Sequence, residues 1–91
     1  MKVLFFYANW CKASDKMLST FYGLQKRFNH SRFEFKAVDV DTEEGTELSC
    51  VRSVKNVPTI LLLNKRGKEL ERIKGISDYE TLVETLKKYI K

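Results

Sequence analysis

The amino-acid sequence predicts an α/β fold, a four-stranded mixed sheet with three helices divided between its two faces. Three observations lead there. The apolar run from Val3 to Tyr7 stops at Asn9-Trp10 and gives way at once to Met17, Phe21, Leu24 and Phe28, spaced by three and four as on one face of a helix. Phe33, Phe35 and Ala37 then alternate with polar neighbours and mark a second strand, which a right-handed crossover makes parallel to the first. Two further apolar stretches flank the turn-forming segment Asn64 to Gly67, so they pair antiparallel before an amphipathic helix closes the chain.

The expected order is strand 2–8, helix 11–29, strand 33–40, helix 43–54, strand 59–64, strand 68–74 and helix 78–90. Asn29-His30-Ser31 breaks the first helix. Asp41-Thr42-Glu43-Glu44 reads as a helix start, a capping side chain followed by acids that suit the positive end of the helix dipole. Ser77-Asp78 opens the last helix, whose apolar face is Tyr79, Leu82, Val83, Leu86 and Ile90.

Ninety-one residues at 43% apolar content make one domain, 1–91, with a small core. No apolar run approaches the roughly 20 residues of a membrane span. The stretch Val3 to Ala8 is too short for a signal sequence and leads straight into the cysteine motif, so a cytoplasmic protein without membrane association is expected. The net charge is +5, but Lys26-Arg27, Lys65-Arg66, Lys68 and Lys87-Lys88 fall on different elements. They read as solvated faces rather than a nucleic-acid site, which wants a clustered stripe and stacking aromatics. His30 has no partner, no Cys/His cluster exists, and no metal is expected. Cys50, near Leu48 and Val51, reads as an inert, half-buried thiol.

Cys11 is different. It falls where a strand yields to a helix N-terminus, and there unpaired N–H groups and the dipole converge. Lys12 adds a positive charge beside it, so the thiol is expected to ionise below the usual range and to react.

Trp10-Cys11-Lys12-Ala13-Ser14 after an aromatic strand resembles the active site of the thioredoxin family. Val38-Asp39-Val40-Asp41 resembles the end of that family's next strand, and Leu48, Val54, Val57-Pro58-Thr59 and Ile60 to Leu63 resemble the stretch around its cis-proline. Asn64 to Lys68 is similar to its hairpin turn, and Gly75 to the glycine after its last strand. The resemblance covers nearly all of the chain. It implies a minimal thioredoxin fold, without the extra strand and helix that usually precede the active-site strand.

The resemblance also assigns roles. Cys11 is the attacking cysteine. Trp10, Lys12, Ala13, Val57, Pro58 and Gly75 form the substrate groove. A cis Val57–Pro58 bond would turn the Val57 backbone toward Cys11, where an extended substrate could pair as an added strand. Gly75 would leave room on the other side.

Three departures matter. Ser14 stands where the family has its resolving cysteine. A hydroxyl cannot displace sulfur, so the reaction halts at a mixed disulfide unless an external thiol such as glutathione completes it. The serine reads either as a natural residue or as a Cys→Ser change in a dithiol site. Phe5 occupies the place of the family's buried aspartate and reads as core. Ser19 replaces a helix-kinking proline.

Two functions follow from the resemblance. One is a monomeric thiol–disulfide oxidoreductase acting on disulfide-containing proteins. It would have no cofactor, with a reductase or glutathione as electron donor. The alternative is a redox-silent interaction module that keeps the groove without turnover.

Overall fold

The structure, a computed structural model, describes residues 1–90. Its elements are β1 (Lys2–Tyr7), α1 (Lys12–Arg27), β2 (Glu34–Asp39), α2 (Glu43–Val51), β3 (Thr59–Leu63), β4 (Glu69–Lys74) and α3 (Tyr79–Lys87). The strands form one sheet in the order β2-β1-β3-β4. β1 and β2 run parallel, in register from Lys2 opposite Glu34 to Tyr7 opposite Asp39. β3 pairs antiparallel with both β1 and β4. The four-stranded mixed sheet with three helices is the minimal thioredoxin fold that the resemblance implied.

The pleat of the buried central strands divides the core. Val3, Phe5, Ile60 and Leu62 point to one face, where they meet Met17, Phe21 and Leu24 of α1 and Leu82, Val83 and Leu86 of α3. Leu4, Phe6, Leu61 and Leu63 point to the other, under Leu48 of α2. Phe5 is fully buried and its ring lies 5.0 Å from that of Phe21. This position is apolar core that joins β1 to α1.

Helix ends are where sequence and structure part. The second helix was expected to reach residue 54, but α2 ends at Val51. Ser53 takes a left-handed conformation with φ 55°, and the Val54 N–H reaches back to Ser49 O at 2.8 Å. This is the usual glycine-terminated helix end built without a glycine, so its common marker is missing. Arg72 reinforces it from β4 by donating to the carbonyls of Arg52 and Ser53. The third helix ends at Lys87, and the Tyr89 hydroxyl bonds to Glu71 on β4. Ile90, expected on the apolar face, is therefore beyond the helix and 45% exposed.

One contact fixes α2 against the sheet. A methyl on Gly45 would sit 1.8 Å from the Asp39 carbonyl oxygen at the end of β2. Only a residue without Cβ lets the two backbones approach this closely.

Candidate active site

β1 ends at Tyr7, and the chain turns through Ala8, Asn9 and Trp10, closed by the Cys11 N–H donating to Ala8 O at 3.1 Å. Cys11 is the N-cap of α1, with extended backbone (φ −98°, ψ 110°) and a side chain that makes no capping bond. Its carbonyl accepts the Asp15 N–H at 3.0 Å, so the backbone enters the helix without engaging the thiol in the cap.

Ser14, one turn on, is fully buried. Its Oγ accepts the Ala8 N–H at 3.1 Å, and its proton has Ala8 O at 2.9 Å and Cys11 O at 3.1 Å within reach. The hydroxyl thus buckles the end of β1 to the first turn of α1.

The Cys11 thiol is lowered from its ordinary value. The Ser14 N–H and then the Ser14 side chain stabilise the thiolate, burial opposes them, and the Ala13 N–H adds to the lowering. The expected helix-end donors are present. Lys12, expected to contribute, is exposed and is not among the causes, whereas the Ser14 hydroxyl is a donor that sequence reasoning missed. Once residue 14 is seen only as a lost thiol, nothing in the sequence flags it as a hydrogen-bond donor.

Opposite the thiol, the Val57–Pro58 peptide is cis, and Val57 O lies 3.8 Å from Cys11 Sγ. Pro58 is buried, and its carbonyl accepts the Gly75 N–H at 2.8 Å, which ties the end of β4 to the start of β3. Gly75 has φ +82°, while a Cβ there would meet nothing within 4 Å. Its backbone conformation, rather than crowding within the chain, accounts for the glycine.

Trp10, 70% exposed, forms a rim, and Ile76 beside Gly75 is exposed as well. An open groove of about 400 Å³ runs from Trp10, Cys11 and Val57 toward α2, where Thr46 and Ser49 form its far wall. Both hydroxyls donate to backbone carbonyls, Thr46 to Val40 and Ser49 to Gly45, so they offer the groove only acceptor lone pairs. Neither was singled out from sequence, although their spacing of three places them on one helix face.

The structure brings Trp10, Cys11 and Val57 into one groove, while Pro58 and Gly75, bonded to each other, are not among the residues that line it. Ala13 is half-buried and contributes its N–H. Cys50 is exposed rather than half-buried, because it lies on the outer side of α2. A larger cavity of about 650 Å³ lies beside α2, lined in part by Leu4, Leu48 and Leu63, and neither cysteine lines it.

The thioredoxin family model matches residues 1–88. A thioredoxin of Borreliella burgdorferi is 35% identical over 66 residues, which are 72% of this chain and 54% of that protein. A thioredoxin-like protein of Synechocystis is 25% identical over 85 residues, 93% of this chain and 77% of that protein. The chain therefore spans about half of the one relative and three quarters of the other. Among solved structures, a malaria-parasite thioredoxin-2 superposes with a TM-score of 0.84 at 34% identity, covering 96% of this chain and 81% of that one. The Drosophila germline thioredoxin Deadhead gives 0.83 at 29%, covering 98% and 80%.

Proposed function

We propose that this chain, which belongs to the thioredoxin family, is a thiol–disulfide oxidoreductase in which Cys11 attacks protein disulfides and an external thiol completes the cycle. The observation that carries this reading is the lowered Cys11 thiol, open to the groove and held by the Ser14 and Ala13 donors. The Cys11 thiolate attacks one sulfur of the substrate disulfide, forms a mixed disulfide with it and expels the other as a thiolate. A small thiolate such as glutathione then attacks Cys11 Sγ and releases the reduced substrate. A second one regenerates the Cys11 thiolate and leaves as the oxidised dimer. Substrate disulfide and two thiols thus become substrate dithiol and one small disulfide.

Ser14 takes no covalent part in this scheme. Its buried hydroxyl holds the turn, and its backbone N–H and side chain contribute to the lowered Cys11 thiol. Trp10, Val57, Pro58 and Gly75 would receive an extended substrate segment, with Lys12 and Ala13 flanking it. We further read the chain as a cytoplasmic monomer with a reductase or glutathione as donor.

Incubation with an oxidised model protein tests the scheme. The expected product is a persistent Cys11 mixed disulfide, read by mass, that releases reduced substrate only when glutathione is added. Binding without any covalent adduct would favour the redox-silent module instead, a reading that draws on Ser14. Robust turnover without an external thiol would overturn the monothiol cycle.

A further inference from the structure

The basic residues that are dispersed in the sequence do not all stay dispersed in the fold. The parallel register sets Lys2 opposite Glu34, and the antiparallel one sets Lys2 opposite Leu63. The start of β1, the approach to β2 and the β3–β4 turn therefore meet at the end of the sheet away from Cys11. Lys2, Arg32 and Lys65 line one cleft of about 520 Å³ there, and among the described residues Glu34 is its only carboxylate. All three cations are exposed, and none makes an ion pair among the described residues. Arg66 and Lys68 extend the charge along the turn.

That turn is braced in advance. The Asn64 side-chain oxygen accepts the N–H groups of Arg66 and Lys68, both at 2.9 Å, and Arg52, the C-cap of α2, donates to Gly67 O at 2.7 Å. Cations on a braced loop lose less freedom on binding than cations on a mobile one.

We propose that this cleft is a docking surface for a carboxylate-rich segment of a partner protein. Charge complementarity selects an anionic occupant. Glu34 selects protein over nucleic acid, because it stands amid the cations where a duplex would present an unbroken row of phosphates. A peptide can match one acid with one base and the remaining cations with acids. The large exposed aromatics, Trp10 and Tyr22, lie outside the cleft, so no stacking platform for single strands is offered. The length of β1, roughly 17 Å, separates the cleft from the thiol end. A partner held at the cleft therefore leaves Cys11 free.

The test is amide chemical-shift mapping of the intact chain, titrated at low ionic strength with a Glu-rich peptide carrying one central Lys. A duplex DNA and vesicles containing anionic lipid are run as separate arms. Saturable shifts confined to residues near Lys2, Arg32 to Glu34 and Lys65 to Lys68, with Cys11 and Val57 unmoved, are expected. The triple variant K2E/R32E/K65E should bind the peptide about tenfold more weakly, while an equal charge change at Lys16, Lys26 and Lys87 should not. Shifts centred on Cys11, equal loss in both variants, no binding, or tighter binding to DNA or vesicles than to the peptide would each overturn the proposal. Because the readout is binding rather than turnover, its failure is distinguishable from failure of the oxidoreductase cycle.

Discussion

The two ends of the sheet use opposite means to attract an electron-rich sulfur or a carboxylate. At the Cys11 end the stabilising groups are neutral: backbone N–H groups of Ser14 and Ala13 and one hydroxyl, all within three residues of the thiol. At the far end they are full charges, Lys2, Arg32 and Lys65, contributed by segments far apart in the chain. The difference is one of range. Short hydrogen-bond donors act on one atom in one geometry and are little affected by salt, whereas exposed ammonium and guanidinium groups act over about 10 Å and are screened by it. On the proposed readings, the first suits tuning a reaction at one atom and the second suits gathering a partner.

The largest effect is expected at residue 14. Ser14→Cys is expected to form an 11–14 disulfide and raise reduction of insulin-type disulfides without added thiol from background to measurable turnover, since positions three apart at a helix start share a face. Mass analysis and a turbidity assay check it. An 11–14 bond without any reductase activity would detach the groove from catalysis. Phe5 offers no carboxylate for a proton relay, so the gained rate should fall below that of relatives with a buried acid.

Ser14→Ala probes the same end by subtraction. It leaves the buried Ala8 N–H without its partner, which costs about 1–3 kcal/mol of stability, readable as a shift in denaturant midpoint. It should also move the alkylation profile of Cys11 to higher pH, because one thiolate donor is gone. A stability loss with no change in that profile would confine the hydroxyl to a structural role.

A smaller effect concerns pH alone. The folded chain lowers the Cys11 thiol, so the unfolded chain binds its proton more tightly. The resulting stabilisation is fully present above the unfolded value and is lost as pH falls through the folded one. The stability difference between the protein and Cys11→Ala should therefore grow in favour of the protein with rising pH. Alkylation of Cys11, separated from that of exposed Cys50 by peptide mass, should rise below the range of a free thiol, near 8.5. The rate should be insensitive to added salt, in contrast to peptide binding at the far end.

Much of the fold was legible because its signals are local and periodic. Met17, Phe21, Leu24 and Phe28 face the core as their spacing requires, and Thr42 and Asp78 cap α2 and α3 from the positions that read as helix starts. What was not legible depends on contacts made across the chain. The end of α2 is held by Arg72 from β4, and past the end of α3 it is Tyr89 that bonds to the sheet at Glu71 while Ile90 is exposed. At the site, the strand-to-helix placement of Cys11 followed from pattern, but the task of the Ser14 side chain did not, since its partner Ala8 is an unremarkable residue in sequence. The grouping of three cations was hidden for the same reason. Residues 2, 32 and 65 are distant along the chain and line one cleft in the fold.

Gly45 carries a consequence for anything that lies in the groove. The first turn of α2 rests on the Asp39 carbonyl oxygen, peptide against peptide. Thr46 follows immediately and Ser49 one turn later, so the far wall of the groove inherits its position from that contact. A wall made of long side chains yields by changing rotamers, but a wall located by two backbones has none to change. The α2 side of the groove is thus placed by backbone, whereas the facing rim is the exposed side chain of Trp10.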